Sequence, residues 1–157
     1  MIERVVHPYQ LEKALSHVIA NKGSAGVDGI SIREIRKIFT EKKLQFIEQI
    51  KTEKYQVQPI LGIEIPKGNG KTRLLGIPTT SERVLQQSVA QNLAPLFEPE
   101  FKPNSFGFRP NKNARQAVGQ AREYIHQGLN HIVDTDLKNI FDEVDHCLLL
   151  NLVYQKV

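Results

Sequence analysis

Residues 131–146 read HIVDTDLKNIFDEVDH, and the predicted fold depends on this stretch. Ile132 and Val133 are typical of a β-strand, whereas the pattern from Asp142 onward is typical of a helix. Asp136 is therefore predicted at the end of a strand, with its carboxylate directed into a cleft. Two interpretations stay open from this stretch alone. Either the carboxylate binds Mg²⁺, which prefers oxygen ligands on a rigid support, or these acids form a turn and a helix cap.

The composition is that of a globular protein with a modest basic excess. The 157 residues are 40% hydrophobic and 24% charged, with a net charge of +4 at pH 7. This length suits one domain or part of a larger protein, and the charge fits a polyanionic partner. The single cysteine, Cys147, lies in an apolar run and is predicted to be a core residue. Because no disulfide framework can form, we expect a reducing cytoplasm, without a signal peptide or membrane span.

Residues 1–53 are predicted to form a helical extension that contains a glycine-rich loop. Apolar residues at helical spacing predict a helix from Tyr9 to Asn21, which Gly23 would end. The segment 21–29, NKGSAGVDG, holds too much glycine to be a regular element. It is either a flexible connector or a loop whose backbone closely approaches a ligand or a nucleic-acid strand.

Two capping boxes predict where further helices begin. Ser31 with Glu34 opens a helix that is followed by a second helical run. Thr79 with Glu82 opens another, which Pro95 and Pro99 are predicted to break up. These helices are predicted to support the elements that carry the chemistry.

A β-hairpin is predicted between residues 60 and 77. Its turn is the segment 67–71, KGNGK, with the asparagine–glycine pair at the tip. Lys67, Lys71 and Arg73 are therefore concentrated on one hairpin. They form either a charged, solvated tip or a clamp for phosphates, in which Arg73 would bind two oxygens at once.

A helix is predicted over about residues 111–127. Its apolar positions form the predicted buried face: Ala114, Ala117, Val118, Ala121 and Ile125. Its basic positions lie near one line and are interrupted by a glycine: Lys112, Arg115 and Arg122. This stripe is either a contact for a nucleic-acid backbone or an ordinary solvated face.

Five motifs in this chain resemble those of the group II intron-encoded reverse transcriptases, also called maturases. They are GSAGVDG (23–29), IPKGNGKTRLLGIP (65–78), RVLQQ (83–87), SFGFRP (105–110) and DLKNIFD (136–142). Their order and spacing make the match specific. The resemblance implies an α+β fold, with a fingers subdomain of helices and a β-hairpin at 54–128. The beginning of the palm of a right-hand polymerase would follow at 129–157.

The resemblance also implies roles at a polymerase site. Asp136 matches the first palm aspartate, which coordinates both catalytic Mg²⁺ ions, and the carbonyl of Leu137 would face the metal that carries the triphosphate. Phe141 matches the bulky residue beneath the incoming sugar, so it should favour deoxynucleotides. Lys67 and Arg73 match the fingers cations that hold the triphosphate.

The resemblance further implies nucleic-acid contacts. Arg109 and the glycine-rich loop with Gly26 match regions that approach the template or primer. Lys71 on the hairpin, and Lys112 and Arg115 in the basic stripe, are candidates for the same contacts. The expected partners are an RNA template, which would be intron RNA, a DNA primer and deoxynucleoside triphosphates, with no membrane.

One departure from the family pattern limits the expected activity. The family's second palm motif contains two adjacent aspartates, and no such pair occurs in this sequence. The chain ends in an apolar run at Val157, which predicts a truncated palm and self-association through its exposed apolar surface. Because one carboxylate cannot hold a two-metal site, we expect negligible polymerase activity from this chain alone. An RNA-binding maturase module, which assists splicing and needs no metal site, stays open as the second function.

Overall fold

The structure, a computed structural model, describes residues 1–68, 70–137 and 140–157. The chain forms two units, Met1–Ala94 and Pro95–Val157. Among the described residues the regular elements are helices and one two-stranded antiparallel sheet, so the predicted α+β class is confirmed. The boundaries predicted after residues 53 and 128, on either side of the fingers subdomain, stay predictions.

The elements follow one another along the chain with short connections. The first unit contains α1 (Ile2–Val5), α2 (Pro8–Ala20), α3 (Ile35–Lys51), β1 (Leu61–Lys67), β2 (Lys71–Ile77) and the start of α4 (Thr80–Phe97). In the second unit, a 3₁₀ turn (Glu98–Glu100) precedes α5 (Ala114–His126), α6 (Ile140–Glu143) and α7 (His146–Tyr154). No helix in the described part of the chain combines the length and apolar character needed to cross a membrane.

The core of the first unit joins α2, α3 and α4. Its buried side chains are Leu11, Ala14, Leu15, Val18, Ile35, Phe39, Phe46 and Val84. Phe46 packs edge-on against Phe39 and Tyr55, with ring centroids 5.3 and 5.2 Å away. Fully burying a leucine or phenylalanine contributes about 1.5–3 kcal/mol, so this cluster holds the three helices together.

The predicted first helix is confirmed as α2, with two details of its ends. It begins at Pro8, whose fixed φ suits the first helical position, and His7 Nδ1 accepts a hydrogen bond from Tyr9 N at 3.3 Å. It ends at Ala20, and the next residues turn through Lys22, whose φ is 50°. The helix therefore ends ahead of Gly23, as the sequence predicts.

The predicted capping box at Ser31 closes a turn just before α3. The Glu34 carboxylate accepts from Ser31 Oγ at 2.6 Å and from Ser31 N at 3.1 Å. These two hydrogen bonds lower the pKa of the Glu34 carboxyl from its usual value. The two predicted helical runs are one helix, Ile35–Lys51, because no glycine or proline interrupts its hydrogen-bond ladder.

The predicted hairpin is confirmed. β1 and β2 pair antiparallel, from Leu61 opposite Ile77 to Lys67 opposite Lys71. Gly70 in the turn has a φ of +70°, which glycine adopts without strain. Asn69, predicted at the tip, lies outside the described residues.

The helix after Thr79 ends between the two prolines that were predicted to break it up, so the prediction is wrong for Pro95 and agrees with the structure for Pro99. α4 continues through Pro95 to Phe97. Proline there removes the hydrogen bond to the carbonyl of Gln91, and its ring crowds that carbonyl. Because Pro95 lies in the last turn, only two helical residues follow it, so little of the helix is lost. A short 3₁₀ helix, Glu98–Glu100, follows α4 directly.

The helix predicted over about residues 111–127 is confirmed as α5, although it begins at Ala114, three residues later than predicted. Asn113 caps α5 by accepting from Gln116 N, and the Gln116 side chain accepts from Asn113 N. Gly128, with a φ of +88°, follows the helix, and Leu129 N donates to Tyr124 O as in a Schellman motif.

Three predictions for the second unit are wrong, and they share one cause. Residues 131–137 form no strand, and Ile132 and Val133 are 82% and 87% exposed. The apolar face of α5 is not buried, and Cys147 is exposed rather than in a core. A strand needs a neighbouring strand and an apolar face needs an opposing element, and none of the described residues of this unit is buried.

Candidate functional site

The three predicted phosphate-binding cations lie on one face of the hairpin. Lys67 is paired with Lys71, and Arg73 is paired with Ile65. Because alternate residues of a strand point to the same side, and paired residues share a side, all three cations face the same way. All three are exposed. The sequence places the three cations on one hairpin, and the strand register adds that they lie on the same face of it.

The electrostatics of this basic face favour an anion. Like charges directly opposite one another destabilise a hairpin, and Lys67 and Lys71 are such a pair. The single acidic residue in 61–77, Glu64, is paired with Leu74 on the other face. Among the described residues, none of the three cations takes part in an ion pair. A bound polyanion would relieve the repulsion between the two lysines.

The structure places Gly26 against the protein's own backbone. Gly26 is buried, and a Cβ built on it would lie 2.7 Å from Thr79 Cα, 2.8 Å from Thr79 N and 2.9 Å from Pro78 O. The glycine is therefore needed for a close approach between two parts of the first unit. Its predicted contact with template or primer stays a prediction.

The predicted capping box at the start of α4 is only half formed. Thr79 Oγ1 accepts from Glu82 N at 3.3 Å, but the Glu82 carboxylate accepts from Gln58 N instead of reaching back to Thr79 N. Glu82 is 3% exposed. Burial raises the pKa of the nearby Tyr55 phenol, and the negative charge of Glu82 raises it further.

The predicted metal ligand lies in an irregular, exposed segment. Asp136 Oδ1 accepts a hydrogen bond from Leu137 N at 2.9 Å, and Leu137 is 70% exposed. Phe141, the predicted residue beneath the sugar, lies in α6 and is 89% exposed. Asp145 caps α7 by accepting from Leu148 N at 3.0 Å, so at least one acid of the stretch 131–146 forms a helix cap.

Among the described residues, the predicted metal site is represented by one carboxylate, that of Asp136. The Asp136 carboxylate is the kind of ligand that Mg²⁺ prefers. However, within the described ranges no group of three or more histidine, cysteine, aspartate or glutamate residues is placed to bind a metal. A single carboxylate therefore represents at most one part of a metal site.

Arg109 holds together the loop that precedes α5. Its side chain is 10% exposed, and its Nε and Nη2 donate to Glu98 Oε1 at 3.0 and 2.7 Å. Nη1 donates to the carbonyls of Lys102 at 2.7 Å and Ser105 at 3.0 Å. The guanidinium also lies over the Phe101 ring, 5.2 Å from its centroid. Most of its donors are thus occupied within the unit, and its predicted template contact stays a prediction.

The predicted basic stripe does not lie on a single helix. Lys112 precedes α5, donates to Pro103 O at 3.1 Å and lies 5.1 Å from the Phe106 ring centroid. Arg115 lies in the first turn of α5 and is exposed. Of these two candidates for template binding, Arg115 presents its charge to solvent, whereas Lys112 binds its own loop.

Three residues at the start of α4 were not predicted as site residues. Thr80, Glu82 and Arg83 contact the segments on both sides of the hairpin and the glycine-rich loop. The sequence contains part of the signal, because Thr79 and Glu82 form a recognisable helix start and the motif 83–87 begins with Arg83. Their partners lie far away along the chain, so sequence spacing alone does not identify them.

Comparison with known proteins identifies relatives that are longer than this chain. The chain is 26% identical to the protein YkfC of Escherichia coli, and the match covers 100% of the chain and 43% of YkfC. It is 33% identical to the group II intron-encoded protein LtrA of Lactococcus lactis, over 92% of the chain and 24% of LtrA. It is also 30% identical to a putative COX1/OXI3 intron 2 protein of Saccharomyces cerevisiae, over 87% of the chain and 15% of that protein. The chain thus spans less than half the length of each of these curated relatives.

The family comparison covers most of the hairpin and nearly all of the chain that follows it. The model of the reverse transcriptase (RNA-dependent DNA polymerase) family matches residues 65–156. This range contains the basic face of the hairpin and the segment around Asp136. The resemblance predicted from five motifs is therefore confirmed, and with more than half of its residues matched, the chain belongs to the reverse transcriptase family.

Proposed function

We propose that the chain is the amino-terminal part of an RNA-directed DNA polymerase of the group II intron type. The observation that carries this proposal is the hairpin register, which aligns Lys67, Lys71 and Arg73 on one face within the region matched by the family. The order of the five motifs and the relatives encoded in introns support the group II assignment.

In this proposal the hairpin binds the triphosphate of the incoming nucleotide. Transfer of a nucleotide to a primer hydroxyl builds negative charge around the phosphates, so catalysis depends on positioning and on fixed positive charge. Arg73 offers a planar fork that can bind two phosphate oxygens, and Lys67 adds a compact charge on the same face. A polyanion bound at this face would also relieve the repulsion between Lys67 and Lys71.

The remaining site residues belong to the same proposal. Asp136 and the Leu137 carbonyl supply oxygen ligands to an Mg²⁺ site that needs further carboxylates to be complete. Phe141 lies beneath the sugar and rejects a 2′-hydroxyl. Because this chain contains no adjacent aspartate pair, it has negligible polymerase activity alone.

The second candidate function is RNA binding that assists intron splicing. It is favoured by the exposed basic face of the hairpin, which binds phosphates without any metal. In this case the partner is structured intron RNA rather than a template held against a primer. Both functions place the same three cations, Lys67, Lys71 and Arg73, on nucleotide or RNA phosphates.

A salt titration tests the hairpin as the phosphate-binding face. We expect the triple variant Lys67→Ala, Lys71→Ala, Arg73→Ala to bind single-stranded RNA more weakly than the parent. The slope of log affinity against log salt should fall by about 2, because each lost phosphate contact removes about 0.7 from the slope. The measurement is fluorescence anisotropy with a labelled RNA over a series of salt concentrations.

A matched control separates the hairpin from general charge. Replacing the exposed lysines Lys13, Lys37 and Lys42 of α2 and α3 by alanine removes the same net charge from the helices. This control should keep most of the parent's salt dependence. Equal slopes for the parent and the hairpin variant would contradict the proposal.

We further propose that the chain self-associates through the apolar surface of the second unit. Leu148, Leu149, Leu150 and Leu152 of α7 are each between 44% and 58% exposed, and Val118 of α5 is 59% exposed. Exposed apolar patches of this kind mark interaction sites or cause association. Light scattering at increasing protein concentration should show species larger than a monomer, and a strict monomer contradicts the proposal. We also propose that the protein is located in a reducing cytoplasm.

A further inference from the structure

The first turn of α4 contacts the two chain segments that flank the hairpin. The strand β1 is preceded by Gln58, whose main-chain N donates to the Glu82 carboxylate. The strand β2 is followed directly by Pro78 and Thr79, which lead into α4 at Thr80. Both roots of the hairpin are therefore attached to one helical turn.

The same turn holds the glycine-rich loop in place. Thr80 Oγ1 donates to Ile30 O at 2.8 Å, and Thr80 is fully buried. Arg83 Nη2 donates to Ser24 O and, at 3.0 Å, to Thr80 Oγ1. Between these two anchor points, Gly26 packs directly on the backbone of Thr79, as its close Cβ distances show.

The hairpin needs this anchorage because little else supports it. Among the described elements, β1 and β2 pack mainly on each other. An isolated two-stranded hairpin is only marginally stable in water, and the opposed Lys67 and Lys71 weaken it further. Its orientation is therefore set where its strands enter the folded unit.

We propose that Thr80 and Arg83 are positioning residues that fix the root of the basic hairpin by holding the glycine-rich loop against the start of α4. They touch no phosphate themselves, and they set how the hairpin presents Lys67, Lys71 and Arg73 to an anion. The expected effect on anion binding rests on the proposed function of the hairpin. The clamp itself rests on the hydrogen bonds of Thr80 and Arg83.

The test compares two substitutions of Thr80 in the whole chain. Thr80→Val keeps the shape but loses the hydroxyl that binds Ile30 O, whereas Thr80→Ser keeps the hydroxyl. A nitroxide label on Gly68→Cys, in a Cys147→Ser background, reports hairpin motion by electron paramagnetic resonance. Gly68 suits the label, because a Cβ there meets nothing within 4 Å. The probe for binding is inorganic tripolyphosphate, and circular dichroism confirms that each variant is folded at the temperature used.

We expect Thr80→Val to increase the mobile fraction of the label and to weaken tripolyphosphate binding about three- to tenfold. This range lies within the net free energy of the two hydrogen bonds that the hydroxyl makes, to Ile30 O and from Arg83 Nη2. Thr80→Ser should restore both values to near those of the parent. Arg83→Lys, which keeps the charge but loses the fork, should act in the same direction as Thr80→Val. It also serves as the second variant if Thr80→Val does not fold.

The outcomes separate the two proposals. The positioning role is overturned if Thr80→Val and Thr80→Ser give identical label spectra and affinities and Arg83→Lys behaves like the parent. If the parent binds tripolyphosphate no better than the triple hairpin variant, the proposed function of the hairpin fails instead. In that case the label spectra alone still decide whether Thr80 and Arg83 hold the hairpin root.

Discussion

Replacing Gly26 by alanine is expected to destabilise the first unit by about 1–3 kcal/mol, the usual cost of forcing an extra group into a packed site. The new Cβ would lie within 2.7–2.9 Å of three backbone atoms of Pro78 and Thr79. Backbone atoms cannot rotate away as a side chain can, so the glycine-rich loop must move away from Pro78 and Thr79. Urea unfolding of the parent and the variant, followed by circular dichroism, measures the loss.

The matched control for this prediction is Gly119→Ala. Gly119 lies inside α5, and a Cβ there meets nothing within 4 Å. Alanine has the higher helix propensity, so this variant should be unchanged or more stable by up to about 1 kcal/mol. Equal stability of the Gly26 variant and the parent would contradict the packing seen at Thr79.

Replacing Arg109 by methionine is expected to have the second large effect, a loss of about 2–3 kcal/mol in the stability of the second unit. The substitution leaves Glu98 without its partner and frees the carbonyls of Lys102 and Ser105. Hydrogen exchange of the amides in residues 98–112 should rise in the variant. Exchange measured by mass spectrometry locates the effect.

This prediction also decides between two roles for Arg109. The control Lys112→Met removes one charge but only one hydrogen bond, to Pro103 O, so it should raise exchange far less. The resemblance to the family implies instead that Arg109 approaches the template or primer. Unchanged exchange together with weaker RNA binding in the Arg109 variant would support that role and contradict the structural one.

Local signals predicted much of the first unit. The helix α2 and the hairpin follow from apolar spacing and from the KGNGK turn, since both depend on residues close together in the chain. The alignment of Lys67, Lys71 and Arg73 on one face required the register, which the structure supplies. The glycines of the loop indicated a close backbone approach, but only the fold shows that Gly26 approaches Thr79.

The sequence was misleading where burial depends on distant partners. Ile132 and Val133 have the composition of a strand, but a strand forms only beside another strand. The apolar face of α5 and Cys147 have the composition of a core, yet no opposing element covers them in the described part of the second unit. Asp136 therefore lies in an irregular segment, and its predicted role rests on the match to the family.

The most direct test of the central proposal is primer extension on an RNA template in the presence of Mg²⁺. The proteins compared are a longer polymerase chain that contains this segment, its Asp136→Ala variant and the 157-residue chain alone. The control is Asp134→Ala in the longer chain, because Asp134 is a nearby carboxylate to which the family resemblance assigns no metal role. We predict that the longer chain and the control extend the primer, whereas the Asp136 variant and the 157-residue chain do not. Primer extension by the Asp136→Ala variant would contradict the account.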